Sequence, residues 1–123
     1  MPIGVDIVAV ARVARVYARY GARFLERAFH PREAARARAL PAPRLAAFLA
    51  ARWAAKEALH KALRVERLLF TDVEVVSEPS GAPRFELHGA ARAAGARLDL
   101  QLSVSHEERY AVAFVVATAR APA

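Results

Sequence analysis

The alternation of apolar and polar residues predicts a chain that is helical in its first half and rich in strands in its second. Residues 3–10 ("IGVDIVAV") are β-branched and almost wholly apolar, so they are expected to form a buried strand. Proline and glycine then divide the helical pattern. Helices are predicted at about residues 12–29, interrupted or bent near Gly21, at 30–40, and at 44–63.

After residue 63 the apolar residues are spaced as in β-strands. Turn sequences ("PSGAP", "HEER") separate the predicted strands. Strands are predicted at residues 72–78, 84–88, 98–105 and 110–118, with a short helix at 89–96. This order favours an α+β fold in which an antiparallel sheet packs against a long helix. A chain of 123 residues is expected to form one domain, spanning residues 1–123.

Charge and cysteine content narrow the possible functions. A net charge of +7 favours an anionic partner, such as a nucleic acid, a phosphorylated ligand, an anionic lipid or an acidic protein. The chain contains no cysteine, which excludes disulfide scaffolds, thiol catalysis and cysteine-based zinc sites. We expect a cytoplasmic protein without a membrane partner, because no apolar run reaches about 20 residues and no basic leader precedes the first strand.

The segment "RWAAKEALHKAL" (52–63) holds both lysines, Lys56 and Lys61, of a chain with 19 basic residues. Glu57 and Lys61 are four residues apart and are therefore neighbours on one helix face. An exposed ion pair is the common use of this spacing. The choice of lysine in an arginine-rich chain instead favours a mobile ammonium that can follow a phosphate oxygen.

Asp6 is a lone carboxylate in a strand that is expected to be buried, so it needs a cation or a hydrogen-bond donor. An ion pair between Asp6 and an arginine would meet this need. A Mg²⁺ ion shared with Glu57 would also meet it, because two carboxylates, phosphate oxygens and waters make a typical magnesium site.

Ser105 and His106 stand where a predicted strand ends. A plain polar hairpin tip fits this position. So does a phosphate contact by His106, with Ser105 or its backbone N–H assisting.

Five arginines are spaced 3, 4, 4 and 4 residues apart in the first helical segment: Arg12, Arg15, Arg19, Arg23 and Arg27. On an unbroken helix they share one side, here called the arginine face. It is either a solvated surface or a docking surface for an acidic helix. If Gly21 breaks the helix, Arg23 and Arg27 belong to a separate surface.

Taken together, four segments resemble the holo-acyl-carrier-protein synthase family, the small single-domain 4′-phosphopantetheinyl transferases. They are "IGVDIVAVARV", "FLERAFHPRE", "RWAAKEALHKAL" and "LSVSHEERYAVA", and the resemblance covers nearly the whole chain. It implies transfer of the phosphopantetheine arm of coenzyme A to a serine of apo-acyl-carrier protein, with release of adenosine 3′,5′-bisphosphate. It also implies a place in fatty acid and lipid biosynthesis, and a homotrimer with active sites between subunits.

The resemblance further implies that Asp6 and Glu57 hold Mg²⁺ against the pyrophosphate, that Lys61 contacts phosphate, and that His106 lies near the nucleotide phosphates. Lys56 is expected to add positive charge beside Lys61 and to help bind the phosphates of coenzyme A. The serine proton needs an acceptor, which is either Glu57, directly or through a water it holds, or Asp6 through a metal-bound water.

Three positions depart from the family pattern. His60 replaces a small hydroxyl residue, and it either contacts phosphate or lies on the surface. Glu107 and Glu108 follow His106 and would repel a nearby phosphate, so either they point outward or the role of His106 is weaker than in relatives.

Two other functions are disfavoured by the sequence. A nucleic-acid-binding protein would interleave exposed aromatic residues with basic ones or carry a basic tail, and neither pattern is present. A transferase fold that had lost catalysis would not be expected to keep Asp6, Glu57 and Lys61.

Overall fold

The computed structural model describes residues 2–121, which form five α-helices, one 3₁₀ turn and five strands. In chain order these are β1 Ile3–Ala9, α1 Val10–Tyr20, α2 Ala22–Ala28, α3 Pro31–Arg38, α4 Ala42–Leu63, the 3₁₀ turn Phe70–Asp72, β2 Val73–Ser77, β3 Pro83–Leu87, α5 Gly89–Ala94, β4 Leu98–His106 and β5 Tyr110–Ala119.

The strands form an antiparallel sheet in the order β1–β5–β4 and a separate antiparallel hairpin of β2 and β3. Asp6 on β1 lies opposite Ala113 on β5, and Ser105 on β4 lies opposite Val112. Helix α4 packs mainly on β1 and β5. The predicted α+β fold, with an antiparallel sheet against a long helix, is therefore confirmed.

Small side chains let α4 lie very close to the sheet. Ala54, Ala55 and Ala58 are fully buried in this contact. At Gly4 the two elements touch through their backbones, because an added Cβ would lie 1.9 Å from the carbonyl oxygen of Ala58. Only glycine fits here, so this contact fixes the separation between β1 and α4.

The prediction that β1 is wholly buried is wrong for one of its faces. Gly4 and Val8 face α4 and are buried, whereas Ile3, Val5 and Ile7 on the opposite face are exposed. Alternate residues of a strand point to opposite sides, and α4 covers only one side of the sheet. Phe114 lies opposite Val5 on this uncovered side and is also exposed. We call the surface made by these four exposed residues the outer face of the sheet.

Of the two predicted outcomes near Gly21, an interruption or a bend, the structure shows an interruption of the helix. Gly21 has φ +54°, a conformation that favours glycine, and it separates α1 from α2. Val16 and Tyr20 of α1 nevertheless line one cavity of about 380 Å³ with Arg23 and Arg27 of α2. The two helices thus remain parts of one surface.

Among residues 2–121, no helix combines the length and the apolar character needed to cross a bilayer.

Candidate active site

Asp6 and Glu57 line the same cavity, which has a volume of about 260 Å³ and lies between β1, α1 and α4. Val13, Val16 and Trp53 give it largely apolar walls. We call it the Asp6–Glu57 cavity. Two carboxylates that are 51 positions apart in the sequence are thus brought to one partly enclosed space.

Lys61 is the cation that pairs with Asp6. Its Nζ donates to Asp6 Oδ1 at 3.1 Å and to the Val5 carbonyl at 2.9 Å. The ion pair between Glu57 and Lys61 that their helical spacing suggested is not formed, because Lys61 pairs with Asp6 instead. A lysine ammonium has three N–H donors, so one remains for a ligand, and the side chain is 54% exposed.

The Glu57 carboxylate has no hydrogen bond or ion pair with another residue in the part of the chain that the structure describes. Glu57 also lines an adjoining opening of about 500 Å³, together with Trp53, His60 and Phe70. Its oxygens therefore remain available to a cation or to a proton donor.

His60 is half-buried beside Glu57 and faces this adjoining opening. Its Nε2 lies 3.0 Å from the Val65 carbonyl, and its ring packs edge-on against Phe70 at 6.4 Å between centroids. The ring is held by the loop after α4, so His60 forms part of the wall near Glu57.

Lys56 is placed differently from the prediction that it contacts phosphate. It is fully buried, and its Nζ donates to Glu33 Oε1 at 2.6 Å, to the Phe70 carbonyl at 2.8 Å and to the Val73 carbonyl. Burial lowers the pKa of this ammonium, and the negative charge of Glu33 opposes that shift. All three donors are used within the chain, so the structure corrects the predicted role of Lys56 to a structural one.

The geometry can be compared with known proteins. The model of the family described as the 4′-phosphopantetheinyl transferase superfamily matches residues 2–115. The chain belongs to this superfamily.

Relatives of known name agree with this membership. The holo-[acyl-carrier-protein] synthase of Halorhodospira halophila is 44% identical over 120 residues, covering 93% of this chain and 94% of the relative. The corresponding protein of Acidithiobacillus ferrooxidans is 44% identical over 121 residues, covering 93% of each chain. The resemblance noted from the sequence is thus confirmed, and the chain is a phosphopantetheinyl transferase.

Solved structures share the fold. A holo-[acyl-carrier-protein] synthase from Neisseria meningitidis superposes with a TM-score of 0.84 at 31% identity, covering 95% of this chain and 97% of the other. The Bacillus anthracis synthase in complex with coenzyme A (3′,5′-ADP) gives 0.81 at 30% identity, covering 98% and 96%.

In this transferase Ser105 and His106 stand exposed at the end of β4, as predicted. Strand β5 lies between β4 and β1, and His106 does not line the Asp6–Glu57 cavity. Glu107 Oε1 accepts hydrogen bonds from the backbone N–H groups of Arg109 and Tyr110 at 2.8 and 2.9 Å. That oxygen is directed into the hairpin turn.

All members of the arginine face are exposed, and two of them reach the transferase site. Arg12 lines the Asp6–Glu57 cavity, and Arg27 lines the adjoining opening beside Glu57. The positive surface therefore reaches from α1 and α2 to the carboxylates.

Glu33, the buried partner of Lys56, was missed by the sequence reasoning. A signal for it was present in the segment "HPRE", because His30 and Glu33 form a capping box at the start of α3, with Pro31 in the first turn. That pattern predicts the helix start. It does not reveal that Glu33 also reaches a lysine 23 residues further along.

Proposed function

We propose that this transferase moves the 4′-phosphopantetheine group of coenzyme A to a serine hydroxyl of apo-acyl-carrier protein in the presence of Mg²⁺, releasing adenosine 3′,5′-bisphosphate. Support comes from the relatives named holo-[acyl-carrier-protein] synthase and from the Bacillus anthracis synthase in complex with coenzyme A (3′,5′-ADP). The observation that carries the proposal is the shared cavity of Asp6 and Glu57, with Lys61 bonded to Asp6.

The residues of the cavity fit Mg²⁺. Both acidic groups offer oxygen ligands, Glu57 has no partner among the described residues, and Lys61 bonds to only one oxygen of Asp6. When bound, Mg²⁺ would offset the charge of a pyrophosphate.

The chain's own groups supply positioning and proton transfer. Lys61 is proposed to direct its remaining N–H at a phosphate oxygen, since phosphoryl transfer depends mainly on charge neutralisation and alignment. Glu57 is proposed to accept the serine proton, directly or through a water. Asp6 is the weaker candidate because Lys61 already bonds its carboxylate.

The arginine face is proposed as the surface that receives the acyl-carrier protein. Its five charges are exposed, Arg12 among them lines the cavity, and a complementary acidic helix would be oriented by these charges before contact. Charge complementarity of this kind speeds encounter and sets orientation.

A homotrimer with sites between subunits is also proposed, with copies of this chain covering the outer face of the sheet. Support comes from the exposed apolar side chains of that face and from the position of His106 outside the Asp6–Glu57 cavity. In such an assembly His106 of one subunit would serve the cavity of its neighbour. A cytoplasmic location remains a prediction from the sequence.

The reaction is tested by mass spectrometry of apo-acyl-carrier protein incubated with the transferase, coenzyme A and MgCl₂. We expect the carrier to gain one phosphopantetheine group, and a chelator of divalent metals to prevent that gain. A carrier whose mass is unchanged under these conditions would contradict the proposed function.

The roles of the carboxylates are tested by Glu57→Gln. This variant should remain folded and lose about 100-fold or more in rate, the size of effect seen when one stabilising group of a transition state is removed. Glu78→Gln, in the exposed turn between β2 and β3, is the matched control and should keep the wild-type rate. A Glu57→Gln enzyme with wild-type turnover would exclude Glu57 from the site.

A further inference from the structure

Three side chains that the transferase reaction does not use converge near the start of α3. His30 directly precedes α3, Glu74 lies on β2, and His88 lies between β3 and α5. Each offers one ligand atom, and these atoms all lie within 4.8 Å of one another. We call this the His30–Glu74–His88 cluster.

Glu74 is the centre of the cluster and its side chain is only 7% exposed. Its Oε1 lies 2.9 Å from His88 Nε2, 3.0 Å from Arg32 Nη1 and 3.7 Å from His30 Nδ1. Burial raises the pKa of Glu74, but the hydrogen bond from His88 and the nearby positive charges outweigh this, so its pKa is lowered overall. The acid is therefore a buried carboxylate surrounded by two imidazoles and one guanidinium.

We propose that the His30–Glu74–His88 cluster binds one divalent transition-metal ion, with Zn²⁺ or Co²⁺ as the fitting ions. Two imidazoles and a carboxylate are a donor set of zinc and its neighbours, whereas Mg²⁺ prefers oxygen ligands alone. Bonds of about 2.0–2.1 Å place tetrahedral zinc ligands about 3.4 Å apart. The contacts of Glu74 with the two histidines, 2.9 and 3.7 Å, bracket that separation. The two imidazole rings are stacked in the structure, so they would turn on binding to direct both nitrogens at one ion.

The guanidinium of Arg32 contacts Glu74 Oε1, the same oxygen that would bind the ion. Its side chain is 66% exposed, so the guanidinium can move into solvent when an ion arrives. The backbone N–H of Arg32 also donates to His30 Nδ1 at 3.1 Å, and coordination through that atom would give up this helix cap. Arg32 and the metal ion therefore compete for the same carboxylate.

The cluster is separate from the transferase site, because none of its three residues lines the Asp6–Glu57 cavity or the adjoining opening. It connects the start of α3 to the β2–β3 hairpin. The backbone N–H of His30 also donates to Glu33 at 2.9 Å, and Glu33 bonds the buried Lys56 of α4. A bound ion would hold these elements together and would not take part in the reaction.

Titration calorimetry with ZnCl₂ tests the site, using the Asp6→Asn/Glu57→Gln variant so that the transferase carboxylates contribute no binding. We expect one equivalent of Zn²⁺ to bind. His88→Phe should weaken binding at least tenfold, because it removes a ligand while keeping an aromatic ring stacked on His30, where the centroids are 4.4 Å apart. Arg32→Ala should strengthen binding, because it removes the competing cation.

His106→Ala, made in the same background, removes an exposed histidine outside the cluster and is the control. It should leave the zinc stoichiometry and affinity unchanged. Thermal unfolding with and without ZnCl₂ gives an independent measurement: the ion should raise the melting temperature of the His88-containing protein and not that of folded His88→Phe. Equal zinc affinity with and without His88, or no binding by the folded parent variant, would overturn the proposal.

Discussion

The two lysines of α4 have opposite environments although the sequence suggests the same role for both. Lys61 is exposed and bonds Asp6, which lines the Asp6–Glu57 cavity, whereas Lys56 is enclosed by Glu33 and two carbonyl groups. A rotation of about 100° per residue directs Lys56 and Glu57 to different sides of the helix. The sequence spacing therefore shows that Lys56 and Glu57 cannot lie on the same helix face. The spacing does not show that the Lys56 face is the buried one, because its buried partner, Glu33, comes from another helix.

Lys61→Arg is expected to reduce the rate about tenfold although the charge is kept. The ammonium of Lys61 contacts the Val5 carbonyl and Asp6 at once, and a planar guanidinium cannot occupy the same point. Steady-state kinetics with coenzyme A and apo-acyl-carrier protein measure the effect. Unchanged kinetics would mean that the preference for lysine here has no chemical basis.

Lys56→Met is expected to lower the free energy of unfolding by about 3–5 kcal/mol, because it leaves the buried Glu33 without its cation. The double variant Lys56→Met/Glu33→Gln should recover part of that loss, as urea unfolding would show. In the folded protein the KM for coenzyme A should not change. A higher KM without loss of stability would restore the original prediction that Lys56 contacts phosphate.

Helices α1 and α2 show how much of an element's role follows from periodicity. The arginine spacing and the break at Gly21 were both readable from the sequence. That Arg12 borders the Asp6–Glu57 cavity depends on the packing of α1 against α4, which spacing cannot supply.

The double variant Arg15→Glu/Arg19→Glu should raise the KM for the carrier protein about tenfold or more. The KM for coenzyme A should stay nearly constant. These exposed arginines of α1 do not line the cavity with Asp6 and Glu57, so a reversed charge should affect encounter with an acidic partner. Arg92→Glu/Arg97→Glu, near α5, is the control with the same change of charge. If both KM values rise equally, or the control behaves like the α1 variant, the arginine face is not the docking surface.

The order and type of the helices and strands were largely predictable, because each element has a clear period and is bounded by glycine, proline or a turn. The exposure of one face of β1 was not, since its continuous apolar run is typical of a strand covered on both faces, whereas within the single chain α4 covers only one. The His30–Glu74–His88 cluster was also unpredictable, because its members come from three segments without a characteristic spacing.

Assembly of the molecule can be tested by mixing two inactive variants. If His106 serves the cavity of a neighbouring subunit, Glu57→Gln and His106→Ala subunits should each be inactive alone and should recover part of the activity when refolded together. Some mixed interfaces then pair an intact Glu57 with an intact His106. Activity that stays at the level of the separate variants, in trimers shown by light scattering to be mixed, would contradict a shared site.

The absence of a side chain at Gly4 has a consequence for how the enzyme tolerates change. Asp6 is two positions after Gly4, and Glu57 is one position before Ala58, whose carbonyl oxygen would lie 1.9 Å from a Cβ at Gly4. The span between the two acids is thus set by backbone touching backbone. Core substitutions elsewhere can alter volume without changing that span, whereas a single methyl group at position 4 would widen it directly.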